Sequence, residues 1–326
     1  MSDQKVPRPG EHEVLCLGEA MVLVAPQQGQ RLAAARDATL GVAGAESNVA
    51  QYLADLGHSV AWASRVGSDP LGDRVLAAVA QPGVDVRHVE RDPSAPTAVY
   101  FKDPSPEGGT RVHYYRAGSA ASRLTPAYLD TLPIGSARLV HLSGVTAALS
   151  ASCAATATDL FDRAREAGVL RSFDVNYRPA LWRTEDAAAP LLALARNADV
   201  VFVGLDEAAE VWGTTTAEDV RDLIGPSVSV VVKNAEVGAV LFESGAGEDP
   251  GTFVPADQVE VVEPVGAGDA FAAGYLSAWL RGAERAERLR LGHRVAAFAL
   301  GSVDDHVDAT SLRDVPPTAR PEGAAR

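Results

Sequence analysis

Short apolar runs alternate with helix-period segments through most of this chain, and that alternation restricts the fold more than any other feature. The run VLCLG (14–18) has no polar side chain to turn towards water, so it reads as a strand buried on both faces. Further runs are VAWASRVG (60–67), RLVHLSG (138–144), VLRSFDVN (169–176), ADVVFVG (198–204) and VSVVVKN (228–234). Helical patterns separate them. In ESNVAQYLADLG, Val49, Leu53 and Leu56 recur at helical spacing and Gly57 supplies the stop. Repeated strand–helix units feed a parallel sheet covered by helices on both sides, which predicts an α/β fold with a mostly parallel central sheet. A length of 326 residues with 47% hydrophobic content is enough for one continuous core.

Two segments, 21–43 and 97–117, break the rhythm. TAVYFKD and RVHYYRA read as a hairpin around the loop PSPEGG, and β-rich pieces outside the main alternation predict a small sheet placed as a lid. The polar, proline-bearing residues 1–13 and the Pro-, Ala- and Arg-rich tail 311–326 read as disordered, leaving one catalytic unit at 14–310.

Charge narrows the partners. The 29 basic and 43 acidic side chains give a formal net charge of −14, which repels nucleic acid backbones and anionic membrane surfaces, so neither is expected as a partner. An anionic substrate then needs arginines concentrated at its site. No stretch reaches the ~18 uninterrupted apolar residues of a membrane span, and the first residues lack the apolar core of a secretory signal. Cys16 and Cys153, without the paired spacing of a zinc site, read as reduced buried thiols. A cytoplasmic location is the expectation.

The segment VEPVGAGDAFAAGYLSAWLRG (262–282) carries the clearest chemistry. It reads as a strand end, a glycine turn and an amphipathic helix from about Asp269. Gly266, Ala267 and Gly268 have little side-chain bulk, so their N–H groups and the positive helix end can face an anion. An acid at the same helix start sits beside any phosphate bound there and can accept the proton of an attacking alcohol, the pairing that phosphoryl transfer requires. A plain N-terminal cap would carry the same residues.

That segment, preceded in order by GVAGAESNVAQYLADLG (41–57) and RVGSDPLGDRV (65–75), resembles the ribokinase-like (phosphofructokinase B type) carbohydrate kinases over roughly residues 14–305. The resemblance implies a ribokinase-like three-layer sandwich with a β-sheet lid, use of ATP and Mg²⁺ with room for a monovalent cation, and a homo-oligomer. It implies Asp269 as the general base beside the Gly266, Ala267 and Gly268 anion hole. Within the family, GEAMVLVAP, AGAESNVA, YFKD, HYYRAGSAAS, HLSGVTAALS and SFDVNYRPALW resemble the branch acting on 2-keto-3-deoxygluconate. The implied reaction is phosphorylation of that sugar acid's terminal hydroxyl to 2-keto-3-deoxy-6-phosphogluconate. By position, the resemblance assigns the acceptor to Gly44, Asn48, Tyr100, Tyr114, Arg116, Arg178 and Asp269, with Asp305 as the best match in VDDHVD. It assigns the nucleotide to Asn176, Lys233, Gly238, His293 and the glycine turn, and a hydrated metal to Glu207 through water. The residue chemistry agrees, because a sugar acid needs cations for its carboxylate and Arg116 and Arg178 offer them.

The chain departs from the family pattern at Gly204, where many relatives carry Asn, at Asn234–Ala235 in place of Leu–Gly, and at His293 in place of Asn. Kinases of a neutral sugar or nucleoside, and a non-catalytic ligand-binding regulator on the same fold, stay open as alternatives.

Overall fold

Each apolar run becomes a strand, trimmed by at most two residues at either end, in a computed structural model that describes residues 12–27, 30–105, 109–245, 249–259, 261–262, 265–302 and 306–313. The chain opens with β1 (Val14–Leu17), β2 (Met21–Pro26), β3 (Ala38–Ala43), α1 (Ala45–Asp55), β4 (Val60–Gly67), α2 (Pro70–Ala80) and β5 (Val89–Asp92). It continues with β6 (Val99–Pro104), β7 (Thr110–Tyr115), β8 (Leu139–Ser143), α3 (Gly144–Ala148), α4 (Ala151–Glu166), β9 (Leu170–Asp174) and α5 (Thr184–Arg196). The last part holds β10 (Val200–Gly204), α6 (Leu205–Trp212), α7 (Ala217–Ile224), β11 (Ser229–Asn234), β12 (Gly238–Phe242), β13 (Thr252–Pro255), α8 (Ala267–Leu280) and α9 (Arg285–Leu300).

Nine strands form one sheet in the order β13-β12-β11-β10-β9-β8-β1-β4-β5, parallel except where β12 runs antiparallel to β11 and β13. Side-chain alternation along each strand divides the core into two layers. Leu15 and Leu17 pack towards α4, α5, α6 and α7, whereas Val14 and Cys16 pack towards α1, α8 and α9. Cys16 and Cys153 are buried and unbridged. No described helix is long and apolar enough to cross a membrane.

The segment read as an amphipathic helix differs from that reading. α8 begins at Ala267, two residues before Asp269, and it is buried on nearly every side rather than along one stripe. It lies between the sheet, α1 and α9, so its outward face is covered by α9 instead of water. Phe202 of β10 meets Phe271 and Tyr275 edge-on, with ring centroids 6.4 and 5.2 Å away, which fixes the rotation of α8 about its axis. The expected strand end before the glycine turn is also absent among the described residues, because β13 closes at Pro255.

The two segments that broke the alternation form a separate four-stranded sheet in the order β3-β2-β6-β7. β6 and β7 pair antiparallel with Tyr100 opposite Tyr114 and Lys102 opposite Val112. Both proposed terminal boundaries move outward. His12 and Glu13 lie outside the 14–310 unit as read, yet Glu13 takes part in a partly buried cluster with His58 and Arg138, and His12 lies 2.8 Å from Asp85. At the other end Ala309 is fully buried and Arg313 donates to the carbonyls of Asp55 and Ala54, so 311–313 belong to the folded unit. The remainder of both tails lies outside the described residues.

Candidate active site

The carboxyl ends of the parallel strands, the start of α8 and the inner face of the small sheet enclose a cavity of about 710 Å³. Every site residue named from the sequence lines it except Asp305, which lies outside the described residues. Residues from ten segments of a chain with no repeat thus converge on one space.

Asp269 sits at the floor, in the first turn of α8, only 8% exposed. Gly266 caps that helix with φ 84, a left-handed conformation that a side chain would strain. Both carboxylate oxygens of Asp269 accept amide N–H groups, from Asn48 Nδ2 at 2.9 Å and Asn176 Nδ2 at 3.3 Å. Asn48 comes from the second turn of α1. Asn176 follows β9 in a left-handed conformation (φ 38) that Asn tolerates better than most residues. With the amides turned to Asp269, the carbonyl oxygens of Asn48 and Asn176 stay buried without a partner. Buried acceptors of this kind call for a donor from a ligand. Burial pushes the Asp269 pKa up from an ordinary 3.8 to about 7, against the Asn48 hydrogen bond; nearby Asp174 adds to the rise, and Arg178 and Lys233 oppose it.

Beside it lies an acidic cluster. Lys233 Nζ is 3.1 Å from Asp174 Oδ2, and an added Cβ on Gly268 would come within 3.4 Å of the same ammonium. Glu207 accepts from the Gly204 N–H at 2.8 Å and faces Arg178 Nη1 at 3.6 Å. Its pKa is raised, chiefly by burial, with Lys233 pulling it down and Asp174 pushing it up. Asp174 is buried, Glu207 is partly buried, and both line the cavity as oxygen donors, so the two fit a hydrated divalent ion. Sequence reasoning missed Asp174. Its signal was an acid at the carboxyl end of a buried parallel strand, the edge where such sheets bind ligands.

At the far end of the cavity the departures from the family pattern find their places. His293 Nε2 donates to the Val254 carbonyl at 3.1 Å, its ring stands edge-on to Phe271, and burial lowers its pKa, so it is a neutral wall. Gly238 (φ 143) has no room for a side chain, since a Cβ would lie 2.4 Å from the Val254 oxygen. Ala235 holds the left-handed conformation (φ 41) usually left to glycine. The β11–β12 turn therefore carries an L-residue in a left-handed conformation, at a cost in strain.

The small sheet supplies the roof. Tyr100, Lys102, Val112 and Tyr114 line the cavity, and the two tyrosine rings lie 5.7 Å apart. Arg116, just past β7, donates Nε–H to Glu19 Oε2 at 2.7 Å, and Ser119 donates to Glu19 Oε1. Glu19 lies between β1 and β2, so this pair joins two of the chain's crossings between core and roof. A third crossing packs on the same spot, because a Cβ on Gly44 would lie 2.3 Å from the Glu19 carbonyl oxygen. Neither Glu19 nor Lys102 was singled out from the sequence, where GEAMVLVAP and YFKD entered only as segments carrying the family resemblance.

A parallel sheet with an acid-bearing helix start beneath a β lid describes a small-molecule phosphotransferase, and comparison with known proteins makes that specific. Residues 11–309 match the model of the pfkB family carbohydrate kinases. The chain belongs to this family and is a sugar kinase. It is 34% identical over 298 residues to a 2-dehydro-3-deoxygluconokinase of Bacillus subtilis, covering 90% of this chain and 91% of that one. Its fold matches the crystal structure of a PfkB protein from Polaromonas sp. JS666 with a TM-score of 0.83 and 37% identity, over 93% and 100% of the two chains. A fructokinase with bound ATP from Xylella fastidiosa superposes with a TM-score of 0.80 at 26% identity, over 92% and 96%.

Proposed function

We propose that this sugar kinase transfers the terminal phosphoryl group of ATP to the terminal hydroxyl of a sugar acid, 2-keto-3-deoxygluconate, with Asp269 as the general base. The observation that carries the reading is the Asp269 carboxyl itself. It is buried between two amide donors at the junction of a glycine-turn helix start and a tyrosine-lined roof, with its pKa brought to about 7. A base of that strength is matched to removing a proton near neutral pH. The N–H groups of Gly266, Ala267 and Gly268 would face the phosphates, and Ala235, Gly238 and His293 would wall the base of the nucleotide. The acceptor would lie under Tyr100 and Tyr114, where a closed roof excludes water. Asp174 and Glu207 would hold a hydrated Mg²⁺, which when bound offsets charge on the phosphates. A homo-oligomer is part of the proposal, with Tyr115, 68% exposed, as a candidate contact on the roof.

One observation favours a second reading, a neutral acceptor such as fructose or ribose: Arg116 already faces a buried carboxylate, Glu19, at 2.6 Å. An ATP-consumption assay decides between them. The expected outcome is turnover with 2-keto-3-deoxygluconate and turnover at least tenfold weaker with fructose, ribose or a nucleoside. The reverse order would replace the first reading with the second.

A further inference from the structure

The end of the large sheet opposite the cavity carries a second group of ligating side chains. β1 and β4 run parallel, and His12 and Ser59, just before them, meet the segment that leads into β5. There His12, Asp85 and His88 bring two imidazoles and a carboxylate together, with one ligand atom of each lying within 4.8 Å of the others. None of the three lines the cavity. Backbone bonds anchor the segments that carry them. Asp85 donates to the Val60 carbonyl and accepts from the Trp62 N–H, both at 2.9 Å, while the Tyr128 hydroxyl donates to the His88 carbonyl. Glu13, next to His12, donates to the Ser59 carbonyl at 2.8 Å.

His12 is only 8% exposed, and its Nε2 is buried 2.8 Å from Asp85 Oδ2, yet the two atoms make no hydrogen bond. A simple ion pair would aim the ring N–H at the carboxylate. Two ligand atoms side by side instead resemble one edge of a coordination shell, since metal bonds of about 2.0–2.2 Å place neighbouring ligands of a tetrahedral ion about 3.3 Å apart. The outer partners suit the same role. His12 Nδ1 lies 3.3 Å from Ser59 Oγ, which orients the ring, and Arg87 binds both oxygens of Asp85 from outside. The Arg87 side chain is 72% exposed, so its release of one carboxylate oxygen to an ion costs little. Two imidazoles and one carboxylate favour Zn²⁺ over the oxygen-seeking Mg²⁺ and Ca²⁺, with water completing the shell.

We propose that His12, Asp85 and His88 form a binding site for a zinc-class divalent ion, separate from the Mg²⁺ that Asp174 and Glu207 would hold. Such an ion ties the residues before β1 to the turn before β5. The test uses the full chain after chelator treatment, in excess Mg²⁺ so that the acidic pair in the cavity is occupied, with Co²⁺ as a spectroscopic substitute for Zn²⁺. One equivalent of Co²⁺ should develop the intense visible absorption of a four-coordinate ion, which an octahedral oxygen site does not give, and Zn²⁺ should then abolish it. His12→Gln and His88→Gln should each weaken Zn²⁺ binding by at least about tenfold in competition with a chelating dye, whereas Asp174→Asn should leave it within about twofold. Zn²⁺ should also raise the thermal unfolding midpoint of the wild type more than that of His88→Gln. His88 is less buried than His12, so its variant keeps the test open should His12→Gln fail to fold. Absence of the four-coordinate absorption, or equally tight Zn²⁺ binding in His88→Gln, would overturn the site and leave His12 and Asp85 as an ion pair only.

Discussion

Two buried carboxylates line the same cavity under opposite conditions. Asp269, at the floor, is surrounded by the helix start and two neutral amides, and burial holds its proton on up to about pH 7. Glu19, where the chain crosses from core to roof between β1 and β2, is deeper still but lies against an arginine and a serine hydroxyl. The first is an acid kept short of compensation, and the second is one compensated by contacts that also join two chain segments. Burial alone thus says little about what a carboxylate does; its partners decide between chemistry and architecture.

Removing each charge tests the contrast most severely. Asp269→Asn should lower kcat by about 10² to 10⁴ with little change in acceptor KM, as expected for loss of a general base. The same variant should be more stable than wild type at pH 8. The folded-state pKa of Asp269 lies near 7, above its ordinary 3.8, so its contribution to stability is fully present below 3.8 and is lost as the pH rises through 7. A gain of about 1–3 kcal/mol at pH 8, fading towards zero near pH 4, follows from about 1.4 kcal/mol for each pKa unit, discounted for relaxation around the site. Urea titrations at the two pH values measure it. Stability equal to wild type at pH 8 would mean that the site compensates the charge after all. The kcat/KM of the wild type should in turn rise with pH to a plateau above about 7.

At that crossing the sign reverses. Glu19→Ala leaves the Arg116 guanidinium, 9% exposed, without its carboxylate and should destabilise the protein by about 3–5 kcal/mol at neutral pH. A shift in the urea midpoint that is small, or equal to that of Asp269→Asn, would erase the distinction between the two carboxylates.

The same contrast explains what could be read in advance. The floor was legible because parallel strands, glycine turns and helix starts leave local marks, the apolar runs and GAGD, while Asn176 came from the resemblance to a family. Tyr100 and Tyr114 were legible as hairpin aromatics, and the resemblance to a family placed them. Asp174 was hidden because an acid ending a strand also serves as a turn residue. The pair Glu19 and Arg116 was hidden by distance, since 97 residues separate them in the chain and no local pattern links a crossing loop to another. The burial of α8 on nearly every side was missed for a similar reason: its outer cover, α9, is a separate helix whose packing face no window on α8 can show.

The smallest effect concerns the β11–β12 turn at the nucleotide end. The usual glycine of the family pattern is missing there, and Ala235 adopts a positive φ, at φ 41. An L-residue in the left-handed region costs about 1–2 kcal/mol, and glycine recovers that while losing up to about 1 kcal/mol to the entropy of the unfolded chain. Ala235→Gly should therefore stabilise the protein by about 0.5–1 kcal/mol in urea titrations. Because Ala235 lines the cavity, relief of strain should leave the turn in place and the KM for ATP within about twofold of wild type. A destabilised variant would show that the Ala235 methyl packs usefully enough to offset its strain, and that the turn at this end of the site is held by contact rather than by backbone preference.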